Sequence, residues 1–375
     1  MLGLKVTLEN RYPGLDLARS IAISLVVFSH SLWISNYYPS LISWLMRLSG
    51  TIGVEIFFVI SGFLIGKIVL KLIQKEDYSL HDVFVFLKRR WFRTLPNYYL
   101  ALLINLILWI CIYKEIPEKL FLYFFYLQNI TTTSPAFFRI AWSLAVEQFC
   151  YIVGPISLFF LIKCFPKQDK GKLFVIMSLL VILIFGLIRY YFNQTHVIHS
   201  LSDWNEKLRK VTIYRLDAIY YGFIAFYVVH NYAISDTLKR LCFNIGLTIL
   251  LTLHIFIFAL GINVEEFPFF FNVLFLPLNS IAICLLLPFL TTIQFRSMLF
   301  TKWITLISVI SYSIYLLHYT IILHLIKEIF PSDTLAGFSL GLYTVTYWMI
   351  TFVFSYLLYK YFESPMTRLR EVKNN

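Results

Sequence analysis

The sequence predicts an all-α, polytopic membrane protein with about ten transmembrane helices. Of its 375 residues, 59% are hydrophobic and only 14% are charged, whereas roughly a quarter of the residues in a soluble domain are charged. Apolar runs of membrane-spanning length recur along the chain, and the lysines and arginines gather in the short segments between them. The net charge of +12 therefore reflects membrane topology, and we expect no nucleic-acid partner.

Ten apolar segments have the roughly 20 residues that a helix needs to cross the hydrocarbon core. In chain order they cover about 17–35, 51–72, 95–113, 142–164, 173–191, 212–230, 241–260, 270–290, 304–326 and 338–360. Residues 119–130 are apolar but short, which is typical of a re-entrant or interfacial segment. No polar linker divides the chain. We therefore expect a single integral-membrane domain over residues 1–375, with its core at about 11–369 and no appended soluble domain.

The positions of the basic residues give the orientation of these segments. With a cytoplasmic N-terminus, the segments on the inner side hold 21 of the 32 lysines and arginines, and those on the outer side hold 9. The remaining two, Lys67 and Arg215, fall within spans. Because positive residues are retained on the cytoplasmic side of a membrane, we expect both termini in the cytoplasm.

Two ionisable residues share one face of the first span. Arg19 and His30 are eleven residues apart, which is three helical turns or about 16 Å along the helix axis. Arg19 lies at the cytoplasmic end, where a long basic side chain can reach the interface. His30 lies in the outer third, where a histidine is either a helix–helix hydrogen-bond partner or a functional group.

Four further spans carry ionisable residues that the predicted orientation places at the depth of His30. They are Glu55 in the second span, Glu147 in the fourth, Arg215 and Asp217 at the start of the sixth, and His318 in the ninth. Each such residue costs a few kcal/mol unless it is paired or faces a wet cavity. We interpret their common depth as a polar chamber that opens toward the outer face, rather than as unrelated packing contacts.

A second polar group is predicted at the inner face, where it consists of Arg19, Lys88, Arg89, Arg90 and Arg93. Basic residues at this depth either set the topology or bind an anionic ligand. Arg90 and Arg93 are three residues apart on one helical face, directly before Pro96, and such a fork suits the phosphates of a cytosolic ligand. We expect no metal site.

Seven short motifs follow one another along the chain. They are RYPGLDLARSIAISLVVFSH (11–30), GVEIFFVISGFLI (53–65), FLKRRWFRTLP (86–96), WSLAVEQFCY (142–151), YRLDAIYYG (214–222), ISYSIYLLH (310–318) and YFESPMTRL (361–369). Each motif alone is weak evidence, but all seven in this order are specific. Over nearly its whole length the chain resembles the acyltransferase-3 family of integral membrane acyltransferases.

The resemblance implies ten core spans and the transfer of an acyl group, usually acetyl from acetyl-CoA, to a carbohydrate hydroxyl. It makes His30 and Arg19 the functional pair, Glu147 an essential acid, and Arg90 and Arg93 donor-binding residues. Lys88 joins the donor-binding group, and the remaining motif residues that we expect to bind substrate or support the site are Glu55, Ser61, Trp142, Arg215, Asp217, Tyr315, His318 and Glu363.

The chain departs from the family pattern at two positions. Glu55 stands where aspartate is common, which keeps the charge but changes its reach. Gln148 replaces a frequent second glutamate, so only Glu147 can carry the chemistry of that motif.

Acyl transfer to a hydroxyl requires a base and groups that stabilise the developing oxyanion. We expect His30 to deprotonate the acceptor hydroxyl, with Glu147 or Glu55 orienting its imidazole. Arg19 and the Arg90–Arg93 fork would hold the phosphates of an acyl-CoA co-substrate, and we expect no permanently bound cofactor. Direct transfer and an acyl-enzyme on Ser61 both remain open, although Ser61 lies in a helical stretch where a small packing residue is common.

The acceptor class that the resemblance favours is a cell-surface carbohydrate, such as lipopolysaccharide O-antigen or another exopolysaccharide, at a bacterial inner membrane. An exporter of a glycan or lipid-linked sugar is the alternative, since buried charges suit a transporter as well. The inner arginine fork, together with a base on the same chamber, favours the enzyme because simple export needs neither.

Overall fold

The computed structural model describes residues 11–133, 135–259 and 262–369, and these ranges contain helices and no strands. Its ten longer helices are α1 (Pro13–Ser31), α2 (Ser40–Ile73), α3 (Leu80–Tyr113), α4 (Ala141–Cys164), α5 (Lys170–Thr195), α6 (Ala218–Asn231), α7 (Asp236–Ala259), α8 (Phe275–Leu290), α9 (Met298–Leu317) and α10 (Gly337–Leu358). Within the described ranges, nine helical segments are long and apolar enough to cross a membrane. The predicted all-α, multi-pass architecture is confirmed.

The sixth helix is shorter than the sequence predicts. α6 has 14 residues and is about 21 Å long, less than the thickness of a hydrocarbon core. A 3₁₀ turn at Thr212–Tyr214 precedes it in place of the predicted helical start. Arg215 and Asp217 form buried ion pairs with other helices, and these pairs fix the chain before α6 can begin.

Helices α2 and α3 are longer than predicted. Each has 34 residues and extends about 51 Å, well beyond the bilayer core. α3 begins at a capping box of Ser79 and Asp82 and continues through Pro96. Arg90 and Arg93 therefore lie within this helix, on the common helical face that their spacing predicts. By contrast, the predicted non-spanning segment 119–130 contains only the helical turn Leu120–Tyr123.

Two helices continue into π-helical turns that no sequence period indicates. One turn, His318–Leu323, follows α9 and leads into the short helix His324–Ile329. The other, Tyr359–Glu363, follows α10 and leads into Ser364–Leu369. A π turn inserts one extra residue and rotates the following side chains to a new face. His318 and Glu363 both lie in these turns.

Glycines allow the central helices to meet backbone to backbone. A Cβ atom on Gly53 of α2 would lie 2.7 Å from the carbonyl oxygen of Ala22 in α1. A Cβ atom on Gly62 would lie 1.9 Å from the carbonyl oxygen of Ile219 in α6. α2 is thereby held against α1 on one side and α6 on the other, which fixes the walls of the site described next.

Candidate active site

A cavity of about 380 Å³ opens among α1, α2, α3, α4 and α9. Its charged lining residues are Arg11, Asp16, Arg19, Lys67, Arg90, Arg93 and Glu147. The cations outnumber the carboxylates, so the cavity attracts anions. The alternation of the helices places its mouth on the side where α1 begins and α2 ends, which the basic loops assign to the cytoplasm.

An ion pair at the mouth joins the segment before α1 to α9. Arg11 donates to both carboxylate oxygens of Asp16, at 2.8 Å from Nε and 2.6 Å from Nη2. The Ser308 hydroxyl donates to Asp16 Oδ1 at 2.7 Å. Across the opening, the Lys67 ammonium lies 5.2 Å from the centre of the Tyr12 ring. The mouth thus presents two cations held by neighbouring side chains.

The structure brings together the arginines that the sequence predicts at the inner face. Arg19 comes from α1, and Arg90 and Arg93 come from α3. The Arg19 Nε is buried without a hydrogen-bond partner in the described residues. Lys88 is exposed and does not line the cavity. It lies on a different face of α3, because two residues rotate a helix by about 200°.

Glu147 lies among these arginines and not beside His30. Its carboxylate accepts a hydrogen bond from the Tyr151 hydroxyl. The Arg90 guanidinium lies 6.0 Å from the centre of the Tyr151 ring. The charge of Glu147 acts on Arg19, which lies three helical turns from His30 along α1. The prediction that Glu147 shares the level of His30 is thus wrong.

The deep end of the cavity is closed by a pair of hydroxyls. The Ser143 Oγ and the Tyr315 hydroxyl are 2.5 Å apart, and the Tyr315 hydroxyl donates to the carbonyl of Ile140 at 2.9 Å. His318 lies one turn further along, with its Nδ1 at 2.8 Å from the Tyr315 carbonyl oxygen. The cavity therefore ends one helical turn from a buried histidine.

His30 and His318 form a hydrogen-bonded pair whose tautomers follow from their partners. His318 Nδ1 approaches two carbonyl oxygens, those of Ile314 at 3.0 Å and Tyr315 at 2.8 Å. Carbonyl oxygens only accept, so this nitrogen carries the proton and His318 Nε2 is an acceptor. His30 Nδ1 lies 3.1 Å from that acceptor and 2.9 Å from the carbonyl oxygen of Val26, so it is also protonated.

The remaining nitrogen of His30, Nε2, carries the lone pair and has no hydrogen-bond partner among the described residues. It is available as a base. The sequence predicts that Glu147 or Glu55 orients this imidazole, and that prediction is wrong. His318 and the Val26 carbonyl hold the ring instead.

The predicted outward-facing polar chamber is also wrong, because most of its members are paired inside the protein. Arg215 Nη2 donates to both oxygens of Glu55 at 2.8 Å. Asp217 pairs with Arg189 at 2.7 and 2.8 Å. All four side chains are buried. They link α2, α5 and the start of α6. Their role is therefore structural, and they do not line the cavity.

The other predicted residues fall into two groups. Ser61 and Tyr315 line the cavity. Trp142 is buried beside it, with its ring 6.1 Å from that of Phe58. Glu363 lies outside the cavity and accepts hydrogen bonds from Ser313 at 2.5 Å and Asn97 at 2.8 Å. It ties the second π turn to α9 and α3.

Sequence reasoning missed several residues of the site. Lys67 could have been found, because a lysine in an otherwise apolar span needs an aqueous or anionic neighbour. Arg11 and Asp16 belong to a quoted motif but carry no spacing signal for their ion pair. Tyr151 lies one helical turn after Glu147, and this spacing predicts that the two side chains are neighbours. Nothing in the sequence identifies Arg189 as the partner of Asp217.

Residues 12–360 match the family model described as an acyltransferase domain. The chain belongs to this acyltransferase family. It is 26% identical to the O-acetyltransferase OatA of Staphylococcus aureus over 386 residues, which cover 95% of this chain and 57% of that protein. It is 28% identical over 183 residues to the peptidoglycan O-acetyltransferase OatA of Listeria monocytogenes, covering 44% of this chain and 27% of that protein.

The chain thus spans little more than half the length of its Staphylococcus aureus relative. No solved structure is significantly similar to it. Family membership agrees with the resemblance carried by the seven motifs, and the protein is a multi-pass membrane member of this family.

Proposed function

We propose that the protein is a membrane O-acyltransferase that moves an acyl group, foremost acetyl, from cytosolic acyl-CoA to a hydroxyl of a cell-surface carbohydrate. The observation that carries this proposal is the position of the cation-rich cavity. It opens at one face and ends at Tyr315, one turn from the His30–His318 pair. A donor and an acceptor can therefore approach the same reacting atoms from opposite sides of the membrane.

The donor enters the cavity from the cytoplasm. Arg90, Arg93 and Arg19 hold the phosphates of acyl-CoA, because planar guanidinium groups bind phosphate oxygens in pairs. Lys67 and Arg11 at the mouth add to the attraction. The walls beyond these cations include Phe57, Phe58 and Leu64, which suits the less polar arm that carries the thioester. Glu147 positions the arginines by its own charge and its bond to Tyr151.

The transfer uses one base and one oxyanion donor. His30 Nε2 takes the proton of the acceptor hydroxyl while its oxygen bonds to the thioester carbonyl carbon. The Tyr315 hydroxyl turns from Ile140 to donate to the developing oxyanion. Collapse of the intermediate breaks the carbon–sulfur bond, the CoA thiolate leaves toward the arginines, and the proton on His30 passes to solvent. The imidazolium is stabilised by the Val26 carbonyl.

The acceptor is a carbohydrate at the outer face of a bacterial cytoplasmic membrane. Because the Listeria monocytogenes relative is named a peptidoglycan O-acetyltransferase, peptidoglycan is the first acceptor to test. Lipopolysaccharide O-antigen and other exopolysaccharides are the further candidates. A glycan exporter is less well supported, since the Ser143–Tyr315 contact closes the cavity toward the outer face and export has no need of a phosphate-binding fork.

The test is acetyl transfer by the purified full chain in lipid nanodiscs. Radiolabelled acetyl-CoA is supplied with peptidoglycan, O-antigen or exopolysaccharide, and alkali-labile label on each acceptor is measured. We expect ester formation by the wild type and none above background by His30→Ala. If neither protein consumes acetyl-CoA, and the wild type in vesicles exports a labelled glycan, the protein is an exporter and not a transferase.

A further inference from the structure

A small basic cap covers the site on the face opposite the cation-rich cavity. After α5 the chain forms the short helix Leu201–Trp204, a π turn at Asn205–Arg209 and the 3₁₀ turn Thr212–Tyr214. Trp204 and Leu208 are almost fully buried, and the Trp204 ring packs against Phe271 and Phe275, which anchors these turns beside α8. From this segment Arg209 reaches Gly50 of α2 and Trp142 of α4 at the edge of the site.

Arg209 is a buried cation that contacts no carboxylate among the described residues. Its side chain donates to Asn205 Oδ1 at 3.1 Å and to the Gly50 carbonyl at 3.3 Å. Its guanidinium stacks 5.2 Å from the centre of the Trp142 ring. Arg209 is only 7% exposed, and its Nε has no partner in the described residues. A buried charge without an opposite charge in contact lowers the stability of the folded protein unless a bound ligand compensates it.

In two neighbouring arginines of this protein, the buried positive charge is compensated by a carboxylate. Arg189 and Arg215 are each 1% exposed, and each donates two hydrogen bonds to one carboxylate. No carboxylate lies within ion-pair distance of Arg209 in the part of the chain described, and Glu55, whose charge acts on it, is engaged by Arg215. Burial lowers the pKa of Arg209 to about 10, so it is still charged at neutral pH.

The uncompensated charge lies near the proposed base. Arg209 and Lys210 both act electrostatically on His30. The Lys210 ammonium is 2.5 Å from Glu206 Oε1. Arg139 acts electrostatically on Tyr319, whose ring centre lies 4.4 Å from that of His30. Among the described residues, three cations (Arg209, Lys210 and Arg139) and one carboxylate (Glu206) thus act on His30 or on its neighbour Tyr319.

We propose that Arg209, assisted by Lys210 and Arg139, binds an anionic group of the acceptor next to the hydroxyl that is acylated. This inference rests on the proposed acyl transfer and names the class of its acceptor. The anion is a carboxylate or a phosphate carried by the sugar, since both accept hydrogen bonds from a guanidinium. Bound there, it supplies the partner that Arg209 lacks and turns the hydroxyl toward His30 Nε2.

The test compares sugars that differ in one charged group. N-acetylmuramic acid carries a lactyl carboxylate that N-acetylglucosamine lacks, and glucose 1-phosphate carries a phosphate that glucose lacks. With the full chain in nanodiscs, we expect a lower KM for at least one charged sugar than for its neutral counterpart, and the pair that shows it identifies the anion. Arg209→Gln should raise that KM about 10- to 100-fold and leave the KM for acetyl-CoA and for the neutral sugars unchanged.

Lys207→Gln is the matched control, because this exposed lysine of the same segment pairs with Asp203 at 2.8 Å. It should behave as the wild type. Arg209→Lys keeps the charge and should retain most of the preference. If Arg209→Gln accumulates poorly, Lys210→Gln and Arg139→Gln should show the same loss of preference to a smaller degree.

Calorimetric binding of the charged sugars without donor separates this inference from the proposed function. Binding that depends on Arg209 in a protein that transfers no acetyl would refute acyl transfer and retain the anion site. If acetyl transfer occurs, but the KM is the same for charged and neutral sugars in both the wild type and Arg209→Gln, the anion site is refuted and acyl transfer is retained.

Discussion

At the scale of single residues, the chemistry depends on which nitrogen of His30 is free. The sequence places Arg19 and His30 on one face of the first helix, but it does not identify the residue that orients the imidazole. That residue is His318, which lies 288 positions further along the chain. It is part of a π turn that no residue pattern predicts. It accepts from His30 Nδ1 and thereby leaves Nε2 as the base.

Removal of each histidine should therefore affect transfer differently. His30→Ala should lower kcat by about 10²- to 10⁴-fold, the range expected for loss of a general base. His318→Ala should lower kcat by roughly 10- to 100-fold, as for other groups that orient a histidine. His318→Gln should recover part of this loss, because the glutamine carbonyl can accept from His30 Nδ1. Steady-state kinetics with acetyl-CoA measure all three variants, and equal activity of His318→Ala and wild type would remove His318 from the mechanism.

The arginine fork gives a second residue-scale prediction, with a control in the same helix. Arg90→Ala with Arg93→Ala should raise the KM for acetyl-CoA by about 10²-fold or more, since each charged hydrogen bond contributes roughly 1.5–3 kcal/mol. The acceptor KM should stay unchanged. Lys88→Ala with Arg89→Ala removes the same charge from residues that are exposed and do not line the cavity. If both double variants lose donor affinity equally, the cluster acts only through its net charge.

At the scale of elements, the sequence predicted the number and order of the helices better than their ends. Apolar length was enough to find the spans, since a bilayer imposes that length. It could not show that α3 continues through Pro96 or that α6 begins only after Asp217. The first depends on a capping box before the apolar run, and the second on ion pairs with residues far along the chain.

The Glu55–Arg215 pair should hold α2 against the start of α6. Glu55→Gln or Arg215→Met alone leaves one buried charge without its partner, which we expect to cost about 3–5 kcal/mol. The double variant Glu55→Leu/Arg215→Met removes both charges of this pair and should recover most of the melting temperature. Thermal unfolding in detergent measures both effects. A single variant as stable as the wild type would mean that the pair does not join these helices.

The crossing of α2 and α6 can be tested with a matched pair of glycines. Gly62→Ala places a methyl group 1.9 Å from the Ile219 carbonyl oxygen, so the helices must separate. We expect a lower melting temperature and a lower yield of folded protein. Gly186→Ala adds the same methyl group in α5, where no described atom outside the adjoining helix backbone lies within 4 Å, and it should leave the melting temperature equal or slightly higher. Equal tolerance of both substitutions would contradict the close crossing.

At the scale of the whole molecule, the two faces of the bundle differ in chemistry. One face holds the cavity of Arg19, Arg90 and Arg93, and the other holds His30 beneath the cap of Arg209 and Lys210. The sequence predicted this division only in part. It placed the arginines and His30 at opposite levels, but it assigned Glu147 and Glu55 to the outer side, because depth along a span does not reveal which side chains pair across helices.

The proposed reaction joins a cytosolic donor to an acceptor on the opposite side of the membrane, and reconstituted vesicles can separate the two compounds. Chitotriose, a soluble N-acetylglucosamine oligomer, is trapped inside the vesicles, and radiolabelled acetyl-CoA is added outside, in parallel with vesicles that have both compounds outside. We predict ester-linked label on chitotriose only when the two compounds are on opposite sides, and none with His30→Ala. Equal labelling when donor and acceptor share one side would rule out transfer across the membrane.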